Sequence, residues 1–408
     1  MTGGGDPRIK MTPCQHPIMT LAKSLVPPII SCQLRELTRH DKRRGHSRMT
    51  RVTLRSEATQ PSITSPKENP TLEANYEVKD YLAEGQFGKV YLVRNKESGE
   101  IQVAKFMHVR STHLANESQL TQKAAVKLSD IEKECAVQIL VSGKPAFPRF
   151  HGARQFVEKG VTVAVMYLEL LPNRSLGYLL ARGFLSDECI FFVFICVLRG
   201  LEHLRKLRLL HLDLKTDNIM FDKDFYLVLV DFGLSTVCTV DENCVGGSPG
   251  FMASEAWYQN CTVSYNTDYY SLGVTLHILK FRRFPCDVSL ANDPNRMINE
   301  LDIGKSGEKD FDDLMEKLLV IKKEERIGFA SIEEIKQHGY MRNIDFEMLD
   351  TKKILSPFKR LYEGCPSICR KGNHNTVRHS LNKTQKLRYV WALHKDPSIG
   401  ECYSISLL

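Results

Sequence analysis

The chain reads as an α+β protein in which strands come first and helices follow. Three stretches carry that reading. From Tyr76 to Met107 apolar residues alternate with polar ones and are punctuated by turns, the pattern of strands. From Asp187 to Lys206 a long apolar run has the length and flanks of a helix. Directly behind that helix, residues 210–255 (LHLDLKTDNIMFDKDFYLVLVDFGLSTVCTVDENCVGGSPGFMASE) gather carboxylates, a lysine and an asparagine into one compact polar segment.

At 408 residues, 42% hydrophobic and 25% charged, the composition is that of an ordinary globular chain with enough length for a large core. The longest apolar run, Cys189 to Leu198, is about half of what a bilayer requires and reads as a buried helix, so no transmembrane segment is expected. The N-terminus shows no charged start followed by an apolar stretch and a cleavage site. Twelve cysteines are present, but no C-x-x-C pair occurs, Cys135, Cys189 and Cys196 sit in apolar helical surroundings, and Cys365 and Cys369 stand without a second pair. Reduced thiols and a cytoplasmic or nuclear setting are expected.

The net charge of +8 lies in the flanks: residues 1–70 hold 12 basic against 5 acidic side chains, residues 365–408 hold 7 against 2, and the rest hold 37 against 41. Residues 1–70, rich in Pro, Ser and Thr with only a weak apolar patch at Ile18 to Leu34, read as a disordered basic segment. Its cluster Arg39 to Arg48 fits a nuclear address, an anionic-membrane or nucleic-acid contact, or a solvated tail. Thr64, Ser65 and Pro66 offer a phosphosite.

Three strands are expected from Tyr76, with ESGE as the turn between the second and third. Gly85 and Gly88 keep the backbone open to close approach. Lys105 lies in VAKF, bracketed by apolar residues. In SDIEKECAVQIL a helix is expected with Ser129 as its N-cap and Glu132 three residues later. VAVMYLELL is a further strand. In the polar segment, Asp213, Lys215 and Asn218 share one loop, and the strand YLVLV delivers Asp231 before the permissive Gly233. Two carboxylates and an amide so placed form a cradle for a divalent cation and phosphate, and such hard oxygen ligands suit Mg²⁺.

HLDLKTDN and DFG, in this order with a buried strand between, resemble the catalytic loop and DFG segment of eukaryotic protein kinases. The resemblance implies a bilobal fold, with a small β-rich N-lobe over about 76–171 and a larger helical C-lobe over about 172–345. It implies that Asp213 accepts the substrate hydroxyl proton, that Lys215 meets the transferred phosphate as in the serine/threonine class, and that Asn218 and Asp231 hold the metal. ATP phosphates would be covered by Leu82, Ala83, Glu84, Gly85, Gln86, Phe87, Gly88, Lys89 and Val90, where Ala83 replaces the family's first glycine. Lys105 would pair the α and β phosphates, with Glu134, rather than Glu132, as its partner. Leu168 takes the gatekeeper position, and backbone groups of Glu169 to Leu171 would bond adenine.

In many kinases an arginine precedes the catalytic aspartate and binds an activation-loop phosphothreonine. Here Leu212 stands at the arginine position and Cys244, near Asp241 and Glu242, at the threonine position. Activity not gated by loop phosphorylation is expected, with Thr239 as the counter-candidate. Ser248 takes the place of the threonine that bonds the catalytic aspartate and lysine, Ser254 replaces the proline of APE, Glu255 should pair with Arg326, and Asp268 should bond the catalytic-loop backbone. Arg326 to Arg360 is similar to the RxG, IKxHxFF, IDW and PPFKP series of the AGC group, the cyclic-nucleotide-dependent and ribosomal S6 kinase relatives. Residues 346–408 then read as the start of a C-terminal extension and a basic tail without that group's FxxF motif. Where basophilic members carry two acids, this chain has Ser175 and Asp217, so a strong arginine requirement is not expected. The sum is a monomeric serine/threonine kinase using ATP and Mg²⁺ on protein substrates. The alternative, encouraged by Ala83, Leu212 and Ser254, is a pseudokinase scaffold.

Overall fold

Alternation in the first strands builds an antiparallel sheet of five: β1 (Tyr76–Gly85), β2 (Gly88–Asn95), β3 (Ile101–His108), β4 (Phe150–Glu158) and β5 (Val161–Glu169), in the order β1-β2-β3-β5-β4. The computed structural model describes residues 75–364 except 86–87, 111–124, 159–160, 184, 239–245, 258–261, 292 and 342–343. Successive side chains of a strand point to opposite faces. Ala104 and Phe106 therefore join Tyr76, Val93, Val163, Val165 and Tyr167 on one face, where the Tyr76 and Tyr167 rings stack at 4.0 Å. Met107 faces the other way, onto Ile131 and Cys135 of α1 (Leu128–Val141). Lys105, two residues before Met107 and opposite Met166 of β5, is thereby turned toward α1.

The expected N-cap of α1 is corrected by the structure. The helix begins at Leu128 with Lys127 at the cap and no side-chain cap bond, while Ser129 Oγ lies 3.5 Å from Asp130 Oδ1. The reason is tertiary: Val126 is bridged to the sheet, its N–H donating to the His108 carbonyl at 2.8 Å. The chain leaves the sheet directly into the helix and passes the hydroxyl after helix has already begun.

Behind the sheet the chain becomes helical. α2 (Leu176–Leu180) is followed by α3 (Asp187–Lys206), whose start is fixed by Ser186 Oγ accepting from the Cys189 N–H at 3.3 Å. Asp187 and Glu188 in its first turn and His203, Arg205 and Lys206 in its last turn complement the helix dipole. Its apolar run is buried nearly all round, as befits the central helix of a lobe. Gly200 permits a close crossing, since a Cβ there would lie 2.8 Å from Leu229 Cδ1. In the same lobe follow α4 (Tyr265–Phe281), packed directly on α3, α5 (Pro294–Asn299), set against the 3₁₀ turns Ser254–Ala256 and Val288–Leu290, and α6 (Lys309–Leu318), α7 (Glu333–Lys336), α8 (Phe346–Asp350) and α9 (Pro357–Gly364), which add to the core. Phe358 of α9 is fully buried in the same core, its ring 4.7 Å from that of Phe221. Two short ribbons, β6 (Leu209–Leu210) with β9 (Thr236–Val237) and β7 (Ile219–Phe221) with β8 (Leu227–Leu229), carry the polar segment on the sheet side of this lobe. Among the described residues no helix is long and apolar enough to cross a membrane, and Cys135, Cys189, Cys196, Cys238 and Cys286 are free thiols.

Candidate active site

Two apolar triplets, Ile-Met-Phe and Leu-Val-Leu, pair as the β7–β8 ribbon and thereby bring distant polar residues together. Asn218 ends a single 3₁₀ turn (Thr216–Asn218) immediately before β7, and the Val230 N–H after β8 donates to the Asn218 carbonyl at 3.0 Å. Asp231 is the next residue. The loop and the DFG segment thus meet because the strands between them pair, not through any direct attraction of their charges.

From the sheet, Lys105 reaches this point. Its Nζ donates to Glu134 Oε1 at 2.8 Å and to Asp231 Oδ1 at 3.1 Å, joining both lobes in one ionic triad. Burial alone would lower the lysine's pKa, but the charges of Asp231 and Glu134 outweigh it and raise it, so the ammonium is retained. For Asp231 burial pulls upward while the Lys105 charge and hydrogen bond pull harder downward, leaving a carboxylate. Glu132, the other candidate, is buried on α1, and no bond to Lys105 is among its contacts; burial raises its pKa.

A second constellation surrounds Asp213. Ser248 Oγ donates to Asp213 Oδ1 at 2.7 Å, and Lys215 Nζ donates to Asp213 Oδ2 at 2.9 Å and to Ser248 Oγ at 2.8 Å. Asn218 Nδ2 donates to the Asp213 carbonyl and to its Oδ2, each at 2.9 Å. Asp268 of α4 accepts from the His211 and Leu212 N–H groups at 2.8 and 2.9 Å. Those bonds hold Leu212 at φ 64°, a left-handed conformation that a branched non-glycine residue adopts at a cost of about 1–3 kcal/mol. Asp231, also at φ 64°, belongs to a residue type that tolerates that region better.

The donor set suits a hard dication. Asn218 spends its amide N–H groups on Asp213, which turns its carbonyl oxygen away from them, and Asp231 keeps a side chain 35% exposed beyond its bond to Lys105. Among the described residues no group of three or more His, Cys, Asp or Glu could hold a metal by itself. Two protein oxygens with phosphate and water completing the shell is the arrangement Mg²⁺ favours.

Of the glycine-rich stretch, Leu82 and Ala83 are half-buried in β1, Ala83 pairs with Val90, and Glu84 with Gly85 close the strand against Lys89 and Gly88. Gln86 and Phe87 lie outside the described residues. Gly88, at φ 149°, could carry no side chain, since a Cβ would fall 1.8 Å from the Phe106 carbonyl oxygen. At the exit of β5, the Glu169 N–H donates to the Arg149 carbonyl at 2.8 Å, Leu168 is half-buried and Leu171 is buried. Asp217 stands against α2, where a Cβ on Gly177 would lie 2.5 Å from its Oδ1, and burial pushes its carboxyl up to about 6. Ser175 caps α2 by accepting from the Tyr178 N–H at 3.2 Å.

Arg326 is fully buried and forks onto Glu255, Nη1 to Oε1 at 2.6 Å and Nη2 to Oε2 at 3.1 Å. Sequence reasoning missed what Ser254 gains in the place of a proline: its hydroxyl donates to the Ile321 carbonyl at 2.9 Å. It also missed the grip of the chain after α8 on the β7–β8 turn, where Lys352 Nζ bonds Asp222 Oδ2 at 2.5 Å and Asp224 Oδ2 at 2.8 Å, and Ser356 Oγ donates to the Phe225 carbonyl at 2.8 Å. The paired aspartates Asp222 and Asp224 were the only signal in the sequence. Cys244, Asp241, Glu242 and Thr239, the phosphosite at 64–66, the basic cluster at 39–48 and Cys365 with Cys369 lie outside the described residues.

A sheet lobe and a helical lobe joined by a lysine–glutamate–aspartate triad, above a loop aspartate ringed by lysine, serine and asparagine, define the protein-kinase class of fold. A family model of the protein kinase domain matches residues 76–341, and the chain belongs to that family. It is similar to protein kinase 3 of Dictyostelium discoideum, at 26% identity over 70% of this chain and 31% of the relative. The serine/threonine-protein kinase AtPK1/AtPK6 of Arabidopsis thaliana is 25% identical over 70% of this chain and 59% of its own length. The cAMP-dependent protein kinase catalytic subunit PRKX of Mus musculus is 24% identical over 82% and 90%. These relatives agree with a divergent AGC-like kinase. The chain spans about a third to three fifths of the first two relatives' lengths.

Proposed function

We propose that the chain transfers the γ-phosphoryl group of ATP to serine or threonine hydroxyls of proteins, with residues of about 76–345 as the catalytic unit and 346–408 as its extension. The triangle of Asp213, Lys215 and Ser248, with every side between 2.7 and 2.9 Å, carries this reading. Asp213 orients the acceptor hydroxyl and takes its proton as the oxygen attacks phosphorus. The bond to the leaving ADP oxygen breaks with its electron pair, and Lys215 neutralises the group in transit. Lys105, fixed by Glu134, would pair the nucleotide phosphates, and the backbone at Glu169 and Leu171 would receive adenine. Asp231 and Asn218 would hold Mg²⁺, which when bound neutralises charge on the phosphate oxygens. Catalysis on this reading is positioning and electrostatics.

Activity needs no loop phosphate on this reading, because Leu212 offers no charge to one. Purified protein given labelled ATP, Mg²⁺ and serine, threonine and tyrosine peptides should label serine and threonine, and Asp231→Asn should abolish labelling. Binding of Mg-ATP without transfer would favour the scaffold, and labelling of tyrosine alone would contradict the substrate class.

A further inference from the structure

We propose that Leu212 is a positioning residue, the centre of an apolar anchor that sets Asp213 against the Ser248 segment with no covalent modification. The inference rests on the transferase reading above. Leu212 is 8% exposed and clusters with Leu210, Met252, Ala256 and Val263, against which Leu234, Cys238, Trp257 and Tyr265 also pack. These residues come from the three helical-lobe stretches that carry Asp213, Asp231 and Ser248. Leu210 and Leu212 precede Asp213 by three residues and one, Leu234 follows Asp231 by three, and Met252 follows Ser248 by four. The backbone geometry is fitted to this contact. A Cβ on Gly247, which stands at φ 137°, would lie 2.9 Å from the Leu212 carbonyl oxygen and 2.8 Å from Met252 Cγ, so glycine lets the segment close against the backbone of residue 212 and bring Met252 into the cluster.

A charged residue at this position would need an opposite charge to fix it, and that charge can be added or removed. Burial of a leucine needs neither. The left-handed φ of Leu212 is held from one side by Asp268, through the two N–H bonds, and from the other by the apolar contact. Truncating the side chain removes the second support while leaving Lys105, Glu134 and Asp231 untouched, so the acceptor side of the site should suffer and the nucleotide side should not.

The test compares steady-state kinetics of the full chain and its variants on one serine peptide. Leu212→Ala should lower kcat by about tenfold or more, as small misplacements of a reacting group do, with KM for ATP within about twofold. Leu212→Met should recover most of the rate. Met252→Ala, which removes another member of the same cluster, should reproduce the loss, and the double variant should lose less than the product of the two. Leu349→Ala, at a buried leucine in α8, should lower the melting temperature without lowering kcat. Retention of kcat within about twofold in both Leu212→Ala and Met252→Ala overturns the anchor, as does an equal loss in Leu349→Ala. An unaltered chain that transfers nothing overturns the transferase reading itself, and the anchor with it.

Discussion

Arg326 shows how far a single side chain constrains this molecule. Its guanidinium is buried and fully bonded, to both oxygens of Glu255 and to the carbonyls of Val320, Asn266 and Ile321. Such a pair adds little net stability relative to apolar packing, but removing one partner strands a buried charge at a cost of about 3–5 kcal/mol. Glu255→Gln should therefore lower the unfolding free energy by roughly that amount in urea denaturation. Burial pushes the Glu255 carboxyl up, and the Arg326 hydrogen bond and charge more than reverse it, so its folded pKa is depressed. Stability from a depressed carboxyl is complete above its unfolded value, about 4.3, and is lost as pH falls through the folded value. Unfolding free energy should decline below about pH 4 in the unaltered chain and more shallowly in Glu255→Gln, and equal slopes in the two would exclude this linkage. Which side chains would meet was legible at this scale: Asp213 and Asn218 share one loop, the strand before Asp231 brings it beside them, and the Glu255–Arg326 pair follows from the resemblance. What remained unreadable was conformation, since nothing in a leucine announces a left-handed φ at 212, and the hydroxyl of Ser254 reveals no partner 67 residues away.

Elements were readable where local signals govern their ends. α3 starts and stops as expected because a serine cap, two early acids and three late bases all act within the helix. α1 did not, because a bridge from Val126 to the sheet set its first turn before Ser129 was reached. The same lesson applies to the segment after α7. Its sequence resembled a known series of motifs, but its physical work, gripping the turn between β7 and β8 through Lys352, Ile354, Ser356 and Phe358, depends on contacts more than a hundred residues apart. Tyr226 Oη donates to the Ile354 carbonyl in this grip. Phe358→Ala should cost about 3–5 kcal/mol of stability, read by the shift in denaturation midpoint. A loss below about 1 kcal/mol would mean that the segment merely lies on the lobe.

At the scale of the molecule, apolar packing of α1 and Phe147 on the helical lobe is joined by one ionic link: Lys105 of the sheet lobe, held by Glu134, donates to Asp231 of the helical lobe. Fold class was legible because strand and helix periodicities change cleanly along the chain. The relatives share only about a quarter of the aligned residues with it. Of the departures, Ala83 and Leu212 sit in backbone and apolar contacts, and Ser254 donates to the Ile321 carbonyl beside the Glu255 carboxylate.

The most direct measurement is the time course of γ-phosphoryl transfer to a serine peptide by phosphatase-treated protein with Mg-ATP. Transfer should proceed linearly from the first turnovers and vanish in Asp231→Asn. Absence of transfer, or a lag removed only by prior phosphorylation of the segment between Asp231 and Glu255, would contradict it.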